Sequence, residues 1–328
     1  MFHFKSKRTA FWVKFAIIFF AVILVLAGAL YGYYLYLFSG MEIDPPLEPD
    51  EVGVVVQDYH SESIRNIALF GIDTNSDSMV GRSDGIIIVT LDEERKEIRL
   101  SSIERDSYVL VEGIGKTKLN HAYAKGGPAL AVKTLNQNFG LDIVDYLCIN
   151  FTNLEQVIDE LGGINLDVSS DYLTPVNNMI AAESQSRGIE PKLIPAVGYQ
   201  KLNGLQVLCM MRERKNVGGT SRRAEMHELV LTACFEAIKE KSLIDYPSIA
   251  KSLLDLVRTT LGRSDVTGVA TKVVVSDYII RRDVFPLPVD QNGYGGRMID
   301  GVWYLTFNPD TTAKHLQEFI YQGKMYGE

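Results

Sequence analysis

Cysteine is scarce in this chain of 328 residues, and its three copies suit neither a disulfide framework nor a metal site. Cys148, Cys209 and Cys234 each lie among apolar residues, and none belongs to a Cys-x-x-Cys pair or stands at metal-ligand spacing from a histidine. We therefore expect three buried thiols. Basic residues are also few. Lys and Arg number 33 against 41 Asp and Glu, and the net charge of −8 argues against general nucleic-acid binding.

Charged residues are absent between Lys14 and Glu42, and residues 15–38 are almost entirely apolar. As a helix this segment reaches about 36 Å, enough to cross the core of a bilayer. Because basic residues and no acid precede it, the positive-inside rule predicts that residues 1–14 form a cytoplasmic basic tail. We expect residues 15–38 to be an uncleaved transmembrane helix that anchors the chain in the cell membrane. The alternative is a signal peptide cleaved near residues 27–29.

The rest of the chain predicts a spacer and one folded domain. Residues 39–62 are acidic and rich in proline, as in a spacer. Residues 63–328 alternate strand-like and helix-like patterns, so we expect one extracellular α/β domain with a single mixed central sheet covered by helices on both faces. Residues 170–196 carry scattered Pro and Ser and are interpreted as a loop-like insertion or lid.

Hydrophobic periodicity and capping signals place the individual elements. The predicted strands are 67–70, 85–89, 97–103, 146–151, 164–168 and 302–307. The predicted helices are 128–139 ending at Gly140, one opened by the capping box 152–155, one beginning at Arg222, two around 247–261 and 266–280, and a last one after Pro309.

Two aspartates fall at the ends of predicted strands. Asp73 follows the strand at 67–70 through Gly71-Ile72, and Asp84 directly precedes the strand at 85–89. Ligands bind at the strand ends of α/β sheets, and two carboxylates that converge there suit a divalent cation such as Mg²⁺. The alternative is that both residues form turns or helix caps.

Arginines cluster after three of the predicted elements. Arg105 stands beside Asp106 just after a strand. Arg212 and Arg214 would share one face if their segment were extended. Arg222 and Arg223 begin the amphipathic helix, whose N-terminus adds partial positive charge. Guanidinium groups bind phosphate in a bidentate manner, although surface ion pairs are the alternative.

Eight segments in this order resemble a known family. They are 66–73 (NIALFGID), 81–84 (GRSD), 100–106 (LSSIERD), 118–127 (KLNHAYAKGG), 146–151 (YLCINF), 157–164 (VIDELGGI), 202–208 (LNGLQVL) and the Arg212/Arg214 pair. Together they are similar to the LytR–CpsA–Psr proteins of Gram-positive envelopes, over roughly residues 64–240. Proteins of that family are membrane-anchored phosphotransferases that move a glycopolymer from an undecaprenyl-diphosphate carrier to peptidoglycan, forming a phosphodiester bond.

The resemblance implies a role for each candidate residue. It implies Mg²⁺, or another divalent cation such as Mn²⁺, on Asp73 and Asp84. The residues that the resemblance implies for binding the substrate diphosphate are Arg82, Arg105, Arg212, Arg214, Arg222 and Arg223. The catalytic residues that it implies are Arg105, Asp106, Arg212 and Arg214. The implied partners are an undecaprenyl-diphosphate-linked glycan such as a teichoic acid or capsule, a peptidoglycan acceptor and the membrane, and an apolar tunnel would hold the polyprenyl tail.

The chain departs from the family pattern at two acids. Glu104 stands where the family has proline, and an acid there can pair with Arg105 and weaken phosphate binding. Glu225 stands where a second arginine of the helix is expected. Two other functions therefore stay open, a non-catalytic lipid-diphosphate-binding or regulatory protein of the same fold and a polyprenyl-diphosphate hydrolase. His121 is interpreted as a packing histidine.

Overall fold

The computed structural model describes residues 23–56, 61–74, 79–213, 219–242, 245–275 and 278–327. The strands within these residues are β1 (Glu42–Ile43), β2 (Ile64–Asp73), β3 (Arg82–Asp92), β4 (Glu97–Ile103), β5 (Tyr108–Val111), β6 (Gly115–Lys118), β7 (Asp145–Asn150), β8 (Ile164–Val168), β9 (Gly198–Leu202), β10 (Arg258–Thr259), β11 (Ile279–Phe285), β12 (Gly295–Ile299) and β13 (Val302–Thr306).

Helices alternate with these strands along the chain. The α-helices are α1 (residues 23–37), α2 (Asn120–Phe139), α3 (Phe151–Glu160), α4 (Ser170–Arg187), α5 (Gly204–Arg212), α6 (Gly219–Lys239), α7 (Tyr246–Leu254), α8 (Arg263–Val275) and α9 (Pro309–Gln317). A 3₁₀ turn at Pro288–Gln291 precedes β12, and a π-helical turn at Glu318–Gln322 follows α9.

Seven strands form one mixed sheet in the order β1-β10-β7-β2-β3-β4-β11. The neighbours of β3 run antiparallel to it, whereas β7 beside β2 and β11 beside β4 run parallel. Three separate hairpins, β5–β6, β8–β9 and β12–β13, lie outside this sheet. The predicted α/β class with a mixed central sheet is confirmed.

Side chains on alternate positions of the central strands pack against helices on the two faces. Phe70 and Ile88 belong to a core that includes residues of α2 and the segment from α9 to residue 321. Ile67 and Ile87 belong to a second core, against which residues of α6 and α8 pack. The sheet therefore separates an α2 face from an α6 face.

Most element predictions are confirmed, including the bounds of β4 and β8. Gly140 ends α2 in the left-handed conformation, as its position after Phe139 predicts. The cysteines are free and buried, as expected. The capping box predicted at residues 152–155 is wrong. Helix α3 is capped by Asn150, whose side chain accepts a hydrogen bond from the Asn153 amide at 2.6 Å.

Three regions differ from prediction. The predicted helix around 247–261 ends at Leu254, and Arg258–Thr259 form β10, which pairs with β7. Residues 170–187 form a helix rather than a loop, because Tyr172, Val176 and Ile180 repeat every four residues and bury one side of α4. The predicted helix at 266–280 ends at Val275, and Ile279 begins β11, which pairs with β4 at the sheet edge. Parallel pairing with β4 satisfies the backbone groups of β11 and overrides its helix-like pattern.

The predicted transmembrane helix lies partly outside the described residues. Helix α1 covers residues 23–37, and Tyr34 and Leu37 near its end pack in a small apolar cluster with Leu254 of α7. Among the helices of the described residues, none has both the length and the apolar character needed to cross a bilayer.

A buried ion-pair cluster ties the C-terminal segment to the sheet. Arg99 of β4 has no exposed side-chain surface and pairs with Asp92, which is equally buried. Its Nε donates to Glu97 Oε2 at 2.9 Å, and its Nη1 donates to the Ile320 carbonyl at 2.6 Å. The guanidinium therefore joins β3, β4 and the turn after α9.

We predict that Arg99→Met destabilises the fold by about 3 kcal/mol, because it leaves the buried Asp92 carboxylate with less compensation. Urea unfolding followed by circular dichroism measures the loss. The matched control is Arg95→Ala, since Arg95 also pairs with Asp92 but its side chain is 46% exposed. The control should cost less than about 1 kcal/mol. Equal losses in the two variants would contradict the role assigned to Arg99.

Candidate active site

A β-bulge near the start of β3 places Asp84 where the strands of the central sheet end. In the β2–β3 ladder Gly71 pairs with Gly85, but Ile72 pairs with Ser83, so Asp84 is the extra residue between two pairs. Bulges re-aim side chains and are frequent next to active sites. The Asp84 carboxylate is 7% exposed and points to the turn that follows β4.

Two glycines make room at this bulge. A Cβ on Gly71 would lie 3.2 Å from Cε1 of Phe151, and a Cβ on Gly85 would lie 3.3 Å from Nδ1 of His227. The rings of Phe151 and His227 are 5.9 Å apart and tilted. The strand ends are thus packed closely against α3 and α6.

Four side chains of alternating charge, which we call the charge row, extend from the bulge. Arg105 Nη1 donates a hydrogen bond to Asp84 Oδ2. Arg105 Nε lies 3.5 Å from Asp106 Oδ2, and Lys118 Nζ donates to Asp106 Oδ1 at 2.6 Å. The row therefore runs Asp84, Arg105, Asp106, Lys118. All four side chains are less than one-fifth exposed.

Backbone hydrogen bonds fix the turn that carries Arg105 and Asp106. The Arg105 carbonyl accepts from the Asn120 amide at 3.1 Å, and the Asp106 carbonyl accepts from the Leu305 amide at 2.9 Å. The Asn120 side chain also donates to Asp84 Oδ1 at 3.4 Å. Helix α2 and strand β13 thus hold the two charged residues in place.

Arg105 gives the row a guanidinium group beside two carboxylates. Its Nε is buried, makes no hydrogen bond within the described part of the chain and has Asp106 Oδ2 at 3.5 Å as its ion-pair partner. Guanidinium groups suit phosphate oxygens. The arrangement is suited to binding a phosphate group between strand β3 and the turn after β4.

Helix α6 closes the site from the other side. The Ser102 amide donates to Glu228 Oε1 at 3.0 Å, and the Ser102 hydroxyl donates to the Ala224 carbonyl at 3.2 Å. Ala224 and His227 line a small cavity together with Asp84 and Arg105. The first turns of the helix thus lie at the charge row, where the partial positive charge of its N-terminus favours an anion.

Arg212 approaches the same place by a different geometry from the predicted one. It is the last residue of α5, so the extended spacing assumed for Arg212 and Arg214 is wrong for Arg212. Its guanidinium carbon lies 6.0 Å from the centroid of Phe151, the ring that neighbours His227. The structure therefore brings Arg212 to the α3 side of the bulge.

The backbone of Arg82 pairs with that of Asp73 in the β2–β3 ladder. Arg82 is exposed. Burial lowers the pKa of His121, and the positive charges of Arg82 and Lys118 lower it further. His121 Nδ1 lies 2.8 Å from Thr117 Oγ1, which fits the predicted packing role. Arg82 therefore contributes to the positive charge near the row.

Several candidates cannot be placed at the level of their side chains. The side chains of Asp73, Arg222 and Arg223 and the whole of Arg214 lie outside the described residues. The backbone puts Arg222 and Arg223 in the first turns of α6, and Asp73 at the end of β2. Their proposed roles stay predictions.

The two departures from the family pattern face away from the row. Arg105 pairs with Asp84 and Asp106, whereas Glu104 is 1% exposed and lines a separate cavity. Glu225 lines the same cavity with Glu228 and Arg282. The expectation that Glu104 pairs with Arg105 is therefore wrong, because consecutive residues of the strand end point in different directions.

Three site residues were missed by sequence reasoning. Lys118 ends β6 and Asn120 begins α2. Both lie within the 118–127 motif, which resembles the family but predicts no role for either residue. His227 lies on α6 between apolar positions of the helix. No signal in a single sequence shows that these residues meet the charge row, because their contacts depend on how the chain folds.

A larger cavity of about 500 Å³ lies beneath α6, on the α6 face. Arg282 lines both this cavity and the one that contains Glu104. Its apolar lining comes from helix α6 and from the segment between α3 and β8, with Tyr199 at β9. The apolar residues are Leu161, Leu166, Leu229, Ala233 and Ala237.

We predict that Glu228→Gln stabilises the protein, and more at pH 8 than at pH 5. Burial raises the pKa of Glu228 to about 9. The protonated form therefore contributes stability that is fully present below pH 4.5 and is lost as pH rises through about 9. Glutamine keeps an acceptor for the Ser102 amide and removes the titration.

Urea unfolding at the two pH values measures this effect. The gain should increase by at least about 1 kcal/mol from pH 5 to pH 8. Glu225→Gln, one turn earlier and exposed, is the control and should show little pH-dependent gain. The same gain for Glu228→Gln at both pH values would contradict the assignment.

Comparison with known proteins adds three findings. A model of the LytR_cpsA_psr (LytR–CpsA–Psr) family matches residues 39–320. The chain is 27% identical over 315 residues to a polyisoprenyl-teichoic acid–peptidoglycan teichoic acid transferase TagU of Oceanobacillus iheyensis, covering 92% of this chain and 90% of the relative. It is 30% identical over 259 residues to the TagU of Enterococcus faecalis, covering 77% and 78%.

A solved structure has the same fold. TagT bound to LIIa-WTA superposes with a TM-score of 0.62 at 25% identity, covering 79% of this chain and 91% of that one.

Proposed function

Because the chain belongs to the LytR–CpsA–Psr family, we propose that it is a phosphotransferase that moves a glycopolymer from undecaprenyl diphosphate to peptidoglycan. The observation that carries the proposal is the charge row, in which the cations Arg105 and Lys118 lie together at the strand end where a phosphate group can approach. The TagU relatives are named as teichoic acid transferases, and TagT was solved bound to LIIa-WTA, which supports a teichoic acid as the glycopolymer.

The proposed step is an exchange at one phosphorus atom. An acceptor hydroxyl attacks the phosphorus next to the glycan, a new P–O bond forms, and the bond to the bridging oxygen breaks. Undecaprenyl phosphate leaves with the electrons of that bond, and the hydroxyl proton passes to a carboxylate of the charge row, Asp84 or Asp106. Arg105 stabilises the charge that develops on the phosphate oxygens, as donors commonly do in phosphoryl transfer.

A divalent cation would suit the Asp84 carboxylate at this strand end. Mg²⁺ is usually held by one or two carboxylates together with substrate phosphates. Asp84 offers buried carboxylate oxygens in the strand next to β2, and Asp73 is the last residue of β2. We propose that these two residues hold the ion, which would neutralise part of the diphosphate charge. Within the described residues no group of three or more His, Cys, Asp or Glu forms a metal site, so the proposal depends on the phosphates as further ligands.

The same proposal implies where each part of the chain lies relative to the cell membrane. Residues 1–14 would be cytoplasmic and residues 15–38 would anchor the chain in the cell membrane, after the spacer at residues 39–62. The domain at 63–328 would then stand outside, where peptidoglycan is. The charge pattern of the sequence and the cell-envelope activity of the relatives support this arrangement.

The test uses the full chain in detergent with a short-chain polyprenyl-diphosphate glycan, a peptidoglycan fragment and Mg²⁺. Mass spectrometry follows polyprenyl phosphate and the glycan–peptidoglycan adduct. We expect both products only when acceptor is present. Release of polyprenyl phosphate without acceptor would favour the hydrolase, and binding without release would favour the non-catalytic protein. Either result would overturn the transferase.

We predict that Arg105→Ala lowers the rate of transfer about 100-fold, since removal of one preorganised donor to a developing charge costs 10²–10³ in kcat. Glycan transfer under saturating donor is the measurement. Arg65→Ala is the matched control, because Arg65 lies at the opposite end of β2 and pairs with Asp145 and Asp265. The control should keep the rate within about threefold. A similar loss in both variants would show that the effect is structural.

A further inference from the structure

Aromatic side chains gather on two hairpins beside the charge row. Strand β5 of one hairpin and β13 of the other are joined by a parallel bridge between Ser107 and Leu305. Tyr108 and Tyr304 project from these strands with their rings 4.7 Å apart. Trp303 lies on the same hairpin as Tyr304 and is 36% exposed. We call Tyr108, Trp303 and Tyr304 the aromatic ribbon.

The ribbon depends on a glycine. A Cβ on Gly296 would lie 2.7 Å from Cζ2 of Trp303, a distance that real Cβ atoms do not show. The indole therefore lies against the bare backbone of β12, and any side chain at position 296 would displace it. Exposed apolar area also surrounds the ring, because Met298 opposite it is 65% exposed. Exposed apolar groups that lie together can serve as a contact surface for a ligand.

Lys118 connects the ribbon to the charge row. Its Nζ lies 5.9 Å from the ring centroids of Trp303 and of Tyr304, and it also donates to Asp106. An ammonium group over a ring face is a favourable arrangement. A ligand that covers the rings thus meets the charged residues that are proposed to hold the reacting phosphate.

The ribbon and the large cavity lie on opposite sides of the sheet. Val109 of β5 and Phe307 just after β13 pack in the core of the α2 face. The 500 Å³ cavity is lined by α6 and lies on the α6 face. The apolar part of its lining suits the polyprenyl tail of the donor, and charged residues form the rest. A second substrate that approaches the charge row from the α2 face would therefore meet the ribbon.

We propose that the aromatic ribbon binds the glycan strand of the acceptor, with a sugar ring stacked on Trp303. This inference rests on the proposed function and adds the acceptor's place. One face of a pyranose ring presents C–H bonds that pack on aromatic rings, while its hydroxyl groups stay in water. Exposed Lys116 and Arg297 flank the ribbon and complement the carboxylates of an acceptor strand. The α2-face position favours the acceptor over the lipid-linked donor.

Direct binding of a lipid-free peptidoglycan glycan fragment tests the ribbon independently of catalysis. The chain has two tryptophans, Trp12 and Trp303, so Trp12→Phe leaves indole fluorescence to Trp303 alone. We expect the full-length Trp12→Phe protein to show a saturable fluorescence change with the fragment and no such change with free polyprenyl diphosphate. Gly296→Ala in that background should weaken binding about tenfold. No response to the fragment would overturn the proposal.

Kinetics separate the ribbon from the donor site. Trp303→Ala should raise the acceptor KM about tenfold and leave the donor KM unchanged. Tyr326→Ala, which removes another exposed ring near the C-terminus, is the control and should leave both KM values unchanged. An increase in the donor KM alone would assign the ribbon to the donor glycopolymer and overturn the proposal.

The two measurements keep the two hypotheses apart. Fragment binding without any transfer would support the ribbon and contradict the proposed function. Acceptor-dependent transfer that Trp303→Ala leaves unaltered would support the function and contradict the ribbon.

Discussion

The ion pair between Asp84 and Arg105 is the contact on which the site depends. It exists because one extra residue in β3 turns Asp84 out of the regular ladder and toward the turn after β4. A buried carboxylate is costly without a partner, and the Arg105 side chain is only 16% exposed, so the two fix one another. Helix α2 binds this pair through Asn120, and helix α6 covers it through Ala224 and His227. The charge row thus joins the two faces of the sheet.

The two faces of the sheet differ in what they present. The α6 face has a cavity lined by both apolar and charged residues, whereas the α2 face presents aromatic rings and exposed cations. The charge row lies between them and holds the donors suited to phosphate. A transfer between a lipid-linked donor and a wall-bound acceptor needs such an arrangement, because both bulky substrates must reach one phosphorus atom at the same time.

Much of the framework could be predicted from local patterns. Strand β4 and the end of α2 at Gly140 have the predicted bounds, and the apolar residues of α6 lie in the core. The strand-end positions of Asp84 and Arg105 were also predicted. The bulge was not, because it is a property of the pairing between β2 and β3. Lys118 and His227 were missed for the same reason, since each reaches the site through tertiary packing. Helix α4 was missed because Pro175 and its serines obscured a four-residue apolar repeat.

A double-mutant cycle of Asp84→Asn and Arg105→Lys, measured on kcat for glycan transfer, tests the central claim most directly. The two residues act as one unit in this account, so the double variant should be about as slow as the slower single variant, with a coupling energy of at least about 1 kcal/mol. Losses that simply add would contradict the claim, because they would show that Asp84 and Arg105 contribute to transfer independently.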